Sequence, residues 1–73
     1  MNTLIIENWE TIGSELKAER EKQGKIREEI AQNLSMNTLF LVENNKVKPT
    51  LPTLAEWLRA LGYDEIVIRF NGG

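Results

Sequence analysis

The side chains that could carry out chemistry in this sequence are charged, hydroxyl and amide groups, because it contains neither cysteine nor histidine. A disulfide framework or a thiolate metal site is therefore excluded, and a transition metal would have to be held by carboxylates alone. Glu28 and Glu29 are adjacent, but they suit the first turn of a helix better than a catalytic pair. Without a glycine-rich phosphate loop or carboxylates gathered on one face, the sequence predicts no enzyme, no cofactor and no metal.

A short segment near the middle of the chain has side chains suited to nucleic-acid recognition. Asn37 can form a bidentate contact with adenine, and Thr38 can meet a base or a phosphate. Apolar side chains of the same segment can touch thymine methyl groups. The candidates for base contact are Met36, Asn37, Thr38, Phe40 and Leu41.

The charge of the chain gives a mixed indication about such a partner. Nine basic and eleven acidic side chains leave a net charge of −2, which argues against strong nonspecific attraction to nucleic acid. The distribution is uneven, because acids gather in the first third and near the C-terminal end. Basic residues gather at Lys22, Lys25 and Arg27 and again at Lys46 and Lys48. If these two groups fold onto one face, the protein presents a phosphate-binding surface.

Two helical patterns precede this segment. The first helix is expected to start near Trp9 or Thr11 and to end before Gly24, which supplies a left-handed stop. The second is expected over 27–33 and follows almost at once. Its N-cap position holds Ile26, a poor cap.

Two further helical patterns follow. The third is expected over 35–43, with Leu39 and Val42 buried and with Ser35 or Asn37 as the N-cap. The fourth is expected to run from a Thr50 cap through Pro52 to Leu61, before Gly62. Its predicted buried stripe consists of Leu51, Leu54, Leu58 and Leu61.

Both ends of the chain are predicted to be short strands. Residues 3–7 are apolar and β-branched, and residues 64–70 alternate between two faces. Two such edge strands pair with each other against the helices or with the same strand of a second subunit, and the alternative is that both are frayed ends of a helical domain. Trp57 is expected in the core or in a dimer interface. The predicted dimer interface consists of Trp57, Ile66, Ile68 and Phe70.

The order and spacing of several phrases resemble the Cro/repressor-type helix-turn-helix proteins, also called the XRE family. The phrases that carry the resemblance are Val42-Glu-Asn-Asn-Lys46, Pro49-Thr-Leu-Pro-Thr-Leu54 and Leu58-Arg-Ala-Leu-Gly62. The match extends backward through 27–34 and 12–20 and covers the greater part of the chain. A strand directly after the last helix is similar to the HipB-type antitoxins of this family.

The resemblance implies a mainly α fold: a lambda-repressor-like bundle of four to five short helices with short strands at both termini. The whole chain, 1–73, would be one domain with its helical core over 10–62. The resemblance also implies a homodimer that binds operator DNA and sometimes a toxin partner. The absence of cysteine fits a reducing cytoplasm, and no apolar run approaches the roughly 20 residues that span a bilayer.

The resemblance also assigns roles to individual residues. It places an internal ion pair at Arg20 and Glu43. Arg27 stands where the family has a glutamine that opens the second helix and touches phosphate or base. Asn45 stands at a loop glycine, followed by Lys46 and Lys48 in a loop that contacts the DNA backbone.

The chain is slightly shorter than the family pattern between Ala31 and Glu43. Anchoring the pattern on its left half would make Asn37 the cap and force Asn44 into a core position. Anchoring it on the right half makes Ser35 the cap and keeps both aliphatic residues of the third helix buried. We favour the second register, since burying each aliphatic side chain contributes about 1.5 to 3 kcal/mol and burying an unpaired amide costs free energy. It predicts a distorted second helix or turn.

These observations leave three hypotheses. The leading one is a sequence-specific transcriptional regulator that binds DNA as a homodimer, either alone or as an antitoxin. The alternative is a protein-interaction module that uses Phe40 and Leu41 to bind a toxin or another repressor, unless these two side chains fill the core. A third hypothesis is that the shortened segment rearranges the fold.

Overall fold

The computed structural model describes residues 2–32 and 34–70. Within them, the helices lie in sequence between two short terminal strands, which confirms the predicted mainly α bundle and excludes a rearranged fold. The elements are β1 (Thr3–Ile6), a 3₁₀ helix (Trp9–Thr11), α1 (Ile12–Lys22), α2 (Arg27–Ile30), α3 (Met36–Glu43), α4 (Leu51–Leu61) and β2 (Glu65–Ile68).

The two strands pair with each other in parallel. Thr3 lies opposite Glu65, and Ile6 lies opposite Ile68. Two further backbone hydrogen bonds continue the pairing beyond β2. The Arg69 N–H donates to the Ile6 carbonyl oxygen (3.0 Å), and the Trp9 N–H donates to the Arg69 carbonyl oxygen (2.9 Å). The frayed-end alternative is therefore wrong, and the strands pair within the chain.

The core lies between the inner face of this sheet and the helices. Its buried apolar residues are Leu4, Ile6, Ile12, Leu16, Ile30, Leu39, Val42, Leu54, Trp57 and Leu61. Ile66 and Ile68 of β2 pack against this cluster from the side and are half-buried. Every described α-helix supplies at least one buried residue, so the small domain has one continuous core.

The fourth helix follows the sequence prediction at both ends, whereas its predicted stripe is buried at Leu54 and Leu61 and half-buried at Leu58. The Thr50 hydroxyl accepts from the Thr53 N–H, and Gly62 ends the helix at φ 85°. The predicted buried position of Leu51 is wrong, because this side chain is 81% exposed. Leu51 is the first residue of α4, beside the exposed Thr50 cap, whereas Leu54 one turn later is buried.

The second helix is a single turn. It ends at Ile30, whereas helix was predicted over 27–33; Ala31 and Gln32 form a turn, and residue 33 lies outside the described residues. The reason is that α3 is already capped at Ser35, so little chain is left in which to reverse direction. The expected distortion of the shortened segment therefore falls on α2.

Gly24 fixes the C-terminal end of α1, and Gly13 permits its close crossing with α3. Gly24 has φ 72° and stops the helix as predicted. At Gly13, an added Cβ would lie 1.7 Å from the Val42 carbonyl oxygen, which belongs to the backbone of α3. The two helices can approach this closely only because residue 13 has no side chain.

Candidate nucleic-acid interface

The third helix has the register that keeps its aliphatic residues inside. The Ser35 hydroxyl accepts a hydrogen bond from the Thr38 N–H at 3.0 Å, so Ser35 is the N-cap. Leu39 and Val42 are completely buried. Asn44 is exposed, as this register requires.

The opposite face of α3 lies open to solvent. Met36 is 43% exposed and Phe40 is 50% exposed. Asn37 is also exposed, whereas Thr38 and Leu41 are half-buried. The alternative that Phe40 fills the core is therefore wrong. The exposed face offers one amide and two large apolar side chains, with no charged group between residues 36 and 42.

A buried ion pair fixes the C-terminal end of α3 against α1. Arg20 donates from Nε to Glu43 Oε2 at 2.7 Å and from Nη2 to Glu43 Oε1 at 3.1 Å. Arg20 Nη1 also donates to the carbonyl oxygen of Lys25 at 2.9 Å. Both charged residues are buried, and the bidentate geometry satisfies the carboxylate and most of the guanidinium.

Arg27 joins this pair from α2. Its Nε donates to Glu43 Oε1 at 3.0 Å, so one buried carboxylate holds two guanidinium groups. Its Cζ also lies 5.7 Å from the centroid of the Phe40 ring, within the range of a cation–π contact. The structure thus brings the predicted phosphate ligand Arg27 to the exposed face of α3. Its bond to Glu43 was not predicted from the sequence.

The loop after α3 is tied to the N-terminal half of the chain. Asn45 adopts φ 58°, as expected for the loop position, and its amide donates to the Ser14 hydroxyl. Lys48 donates to the Glu10 carbonyl oxygen at 2.9 Å and lies above the Trp9 ring at 5.9 Å. Lys48 is therefore directed towards the 3₁₀ helix.

The two basic groups have different surroundings. Lys46 is exposed on the loop after α3. Lys25, by contrast, lines a shallow groove between α2 and α4 together with Glu29, Glu56 and Arg59. Lys25 thus shares this groove with two carboxylates and one arginine, whereas none of the residues that line it belongs to α3.

The residues predicted for a dimer interface occupy three different environments. Trp57 is fully buried in the core of the subunit, and its Nε1 has no hydrogen-bond partner among the described residues. Ile66 and Ile68 face the same core. Phe70 is exposed, with its ring 5.6 Å from that of Trp9. Trp57 therefore belongs to the core, the first of the two predicted alternatives, because it has no accessible surface with which to contact a second subunit.

The close approach of Gly13 to α3 is a second feature that was not predicted from the sequence. A glycine inside a helical pattern is a known sign of a packing requirement, so the signal was present at Ile12-Gly13-Ser14. Its partner could not be inferred, because Val42 lies far away in the sequence. Gly13, Asn45 and the Arg20–Glu43 pair together fix α3 on α1.

Comparison with known protein families identifies the family of this chain. A family model described as Helix-turn-helix matches residues 16–68, from Leu16 in α1 to Ile68 at the end of β2. The chain therefore belongs to the XRE-type helix-turn-helix family, and it is a DNA-binding regulator at this general level. No curated protein and no solved structure matches the chain.

Neither a metal-binding cluster nor a membrane-spanning helix is found in the part of the chain that the structure describes. Among residues 2–32 and 34–70, no group of acidic residues is placed to hold a metal ion. Within the same ranges, no helix has the length and apolar character needed to cross a membrane.

Proposed function

We propose that this protein is a sequence-specific transcriptional regulator that binds operator DNA as a homodimer, with α3 in the major groove. The observation that carries the proposal is the register of α3. Its capped N-terminal end and its buried Leu39 and Val42 leave Met36, Asn37 and Phe40 exposed on one side. A helix held on its inner side by the core and open on its outer side is the element that the major groove admits.

The side chains on the exposed face of α3 are suited to contacts with adenine and thymine. Asn37 supplies an amide that can bind N6 and N7 of adenine together. Met36 and Phe40 supply apolar surface for thymine methyl groups, and the half-buried Thr38 and Leu41 lie at the margins of this face. We therefore expect an operator rich in A·T pairs at the positions that α3 meets.

Phosphate contacts in this proposal come from both sides of α3. Glu43 and the Phe40 ring hold the Arg27 guanidinium in a defined position, which reduces the side-chain entropy lost when it binds a phosphate. Lys46 would bind a phosphate from the loop after α3, and Lys48 would do so on exchanging its hydrogen bond to the Glu10 carbonyl oxygen for a phosphate oxygen. Asn45 orients that loop through Ser14. These contacts fix the position of the protein and carry no sequence information themselves.

The proposal includes a second copy of this chain on the DNA and a toxin as a protein partner. Two subunits would address half-sites about 34 Å apart, one turn of the double helix. The strand directly after α4 favours the HipB-like antitoxin subgroup, which adds a toxin as a protein partner. The protein would act in the cytoplasm, at the DNA, as a binding protein and not as an enzyme.

Selection from a library of random DNA duplexes tests this function without knowledge of the operator. The expected result is enrichment of a motif with two-fold symmetry whose half-sites are separated by one helical turn. Asn37→Ala should retain phosphate contacts but relax the preference for adenine. Asn2→Ala, which removes the same kind of amide at a position whose hydrogen bonds go to Gly62 and Asp64, is the matched control. Failure to enrich any motif at low salt would contradict sequence-specific binding.

A protein-interaction module is the second candidate, and the apolar character of the α3 face favours it. Met36 and Phe40 are exposed, and the charged residue of the helix, Glu43, is buried, which is also the composition of a protein-binding surface. Changing Phe40 and Leu41 to alanine separates the two functions. Loss of binding to a toxin or another repressor with an unchanged DNA motif supports the module, whereas loss of DNA binding with intact protein association supports the regulator.

A further inference from the structure

The outer face of the two-stranded sheet carries an ordered pattern of side chains that the core does not use. Ile5 and Val67 lie opposite each other in the register and are 47% and 43% exposed, respectively. Leu4 and Ile6, which flank Ile5 in β1 and lie on the opposite face of the sheet, are buried. We call the following set the outer sheet face: Thr3, Ile5, Glu7, Glu65, Val67 and Arg69.

Polar pairs flank the apolar centre of this face on both sides. The Thr3 hydroxyl donates to Glu65 Oε1, and Arg69 Nη1 donates to Glu7 Oε1 at 2.7 Å. Both pairs join the two strands, so they hold their side chains in place beside Ile5 and Val67. Along β2 the outer face thus reads as an acid, an apolar residue and a base.

We propose that the outer sheet face binds the same face of a second copy of this chain. The inference rests on the homodimer of the proposed function and assigns its interface. A two-fold interface brings one surface patch against its own copy, so the patch must be self-complementary. The Ile5–Val67 pair is apolar and meets its own copy at the centre.

The charges of the face are complementary in either face-to-face arrangement. A two-fold axis across the strands places Glu65 opposite Arg69 of the second copy. A two-fold axis along the strands places Glu7 opposite that same arginine. In both arrangements every Arg69 gains a carboxylate from the other subunit, and two like charges do not face each other directly.

The architecture also supplies a reason for such a contact. A two-stranded sheet is marginal in water, and here the helices cover only its inner face. A second copy would remove Ile5 and Val67 from water and cover the other face. Because the patch is small, we expect a reversible dimer whose population depends on protein concentration.

Sedimentation equilibrium across a wide concentration range tests this interface. Wild-type protein should show a monomer–dimer equilibrium, and Val67→Lys should shift its dissociation constant upward by about tenfold or more, because two buried lysines would repel each other. Leu51→Lys is the matched control, since it places the same charge on an apolar residue that is even more exposed. Thermal melting followed by circular dichroism checks that both variants fold.

A charge exchange gives a second readout that poor folding cannot imitate. Arg69→Glu makes the charges of the face uniformly acidic, and the double variant Glu7→Arg, Glu65→Arg makes them uniformly basic. Each should be monomeric alone, and an equimolar mixture should form the mixed dimer. A wild-type monomer at every concentration, or Val67→Lys and Arg69→Glu dimers as stable as the wild type, would overturn the proposal.

The DNA selection separates failure of this inference from failure of the proposed function. If a symmetric motif is enriched but Val67→Lys leaves the dimer unchanged, the interface is elsewhere and the regulator proposal stands. If the charge exchange restores a mixed dimer but no duplex is enriched, the interface stands and the DNA-reading proposal fails.

Discussion

The second and fourth helices lie against each other, yet their structures have different origins. α4 runs for 11 residues between the Thr50 cap and Gly62, so its sequence marks both ends. α2 runs for 4 residues, and Ile26 at its N-cap has no side-chain acceptor. Only the carboxylate of Glu29 compensates, by accepting from the Ile26 N–H at 2.8 Å. Local signals therefore suffice for α4 and do not for α2.

What replaces those signals in α2 is a set of contacts with distant residues. Ile30 enters the core, and Arg27 reaches Glu43 at the end of α3. A one-turn helix can thus be positioned by its side-chain anchors where its own sequence does not mark its ends. The Glu43 carboxylate therefore supports both α3, the helix proposed to bind DNA, and Arg27 beside it.

The largest expected effect comes from removing the shared anchor. Glu43→Ala should lower the free energy of unfolding by about 3 to 5 kcal/mol, because Arg20 would remain buried without its partner. Urea denaturation measures this loss. Glu28→Ala, on the exposed side of α2, should change stability by about 0.5 kcal/mol or less. A Glu43→Ala variant as stable as the Glu28→Ala control would show that α2 and α3 do not depend on this anchor.

The next effect concerns the α1–α3 crossing. Gly13→Ala should cost about 1 to 3 kcal/mol or more, because a methyl group there collides with the Val42 carbonyl and the helices must separate. Ala18→Ser adds one heavy atom at an exposed position of the same helix and should be nearly neutral. Thermal melting of the two variants provides the measurement. Equal melting temperatures would mean that the close approach does not constrain α3.

The caps of α2 and α4 should respond to substitution with effects of opposite sign. Thr50→Ala should lower stability by about 1 kcal/mol, because the Thr53 N–H loses its acceptor. Ile26→Ser supplies the acceptor that α2 lacks and should raise stability by about 0.5 to 1 kcal/mol. Chemical denaturation of both variants tests this. A loss of stability in Ile26→Ser would show that the exposed isoleucine matters more than the missing cap.

The smallest effect is a pH dependence in the contact between α1 and the segment after α4. The Tyr63 hydroxyl donates to Glu19 at 2.6 Å, which lowers the pKa of Glu19 from its ordinary 4.5. The same bond raises the pKa of Tyr63 above its ordinary 10.0. The contribution of Glu19 to stability is therefore present above pH 4.5 and is lost as the pH falls through its lowered value. The contribution of Tyr63 is present below pH 10.0 and is lost as the pH rises through its raised value.

Tyr63→Phe removes this bond and should flatten both limbs of the stability profile. Urea midpoints measured from acid to alkaline pH provide the test, with the wild type as reference. If the variant retains the wild-type slope in both ranges, other groups cause the pH dependence.

Much of the fold could be predicted because its signals are local. Ser35, Thr50, Gly24 and Gly62 mark helix ends through their own conformations and hydrogen bonds. The register of α3 followed from an energetic choice between burying aliphatic residues and burying Asn44, and that prediction is confirmed.

The remainder depends on which distant segments meet. The single turn of α2, the exposure of Leu51 and the contact of Gly13 with Val42 all depend on tertiary packing, which no short window of sequence contains. The role of Arg27 is the clearest example in the candidate site. Its type indicated a phosphate contact, but its bond to Glu43 requires knowledge of where α2 and α3 lie relative to each other.

The most direct test of the central claim, that the exposed face of α3 reads DNA, is a fluorescence anisotropy titration at fixed low salt. The duplex enriched by selection is compared with the same duplex after its half-sites are scrambled. We predict a preference of about 10³-fold or more for the intact duplex, and Asn37→Ala should reduce this preference by roughly 1 to 3 kcal/mol for each adenine that Asn37 binds. Equal affinity for the two duplexes, or the same preference in Asn37→Ala as in the wild type, would contradict the claim.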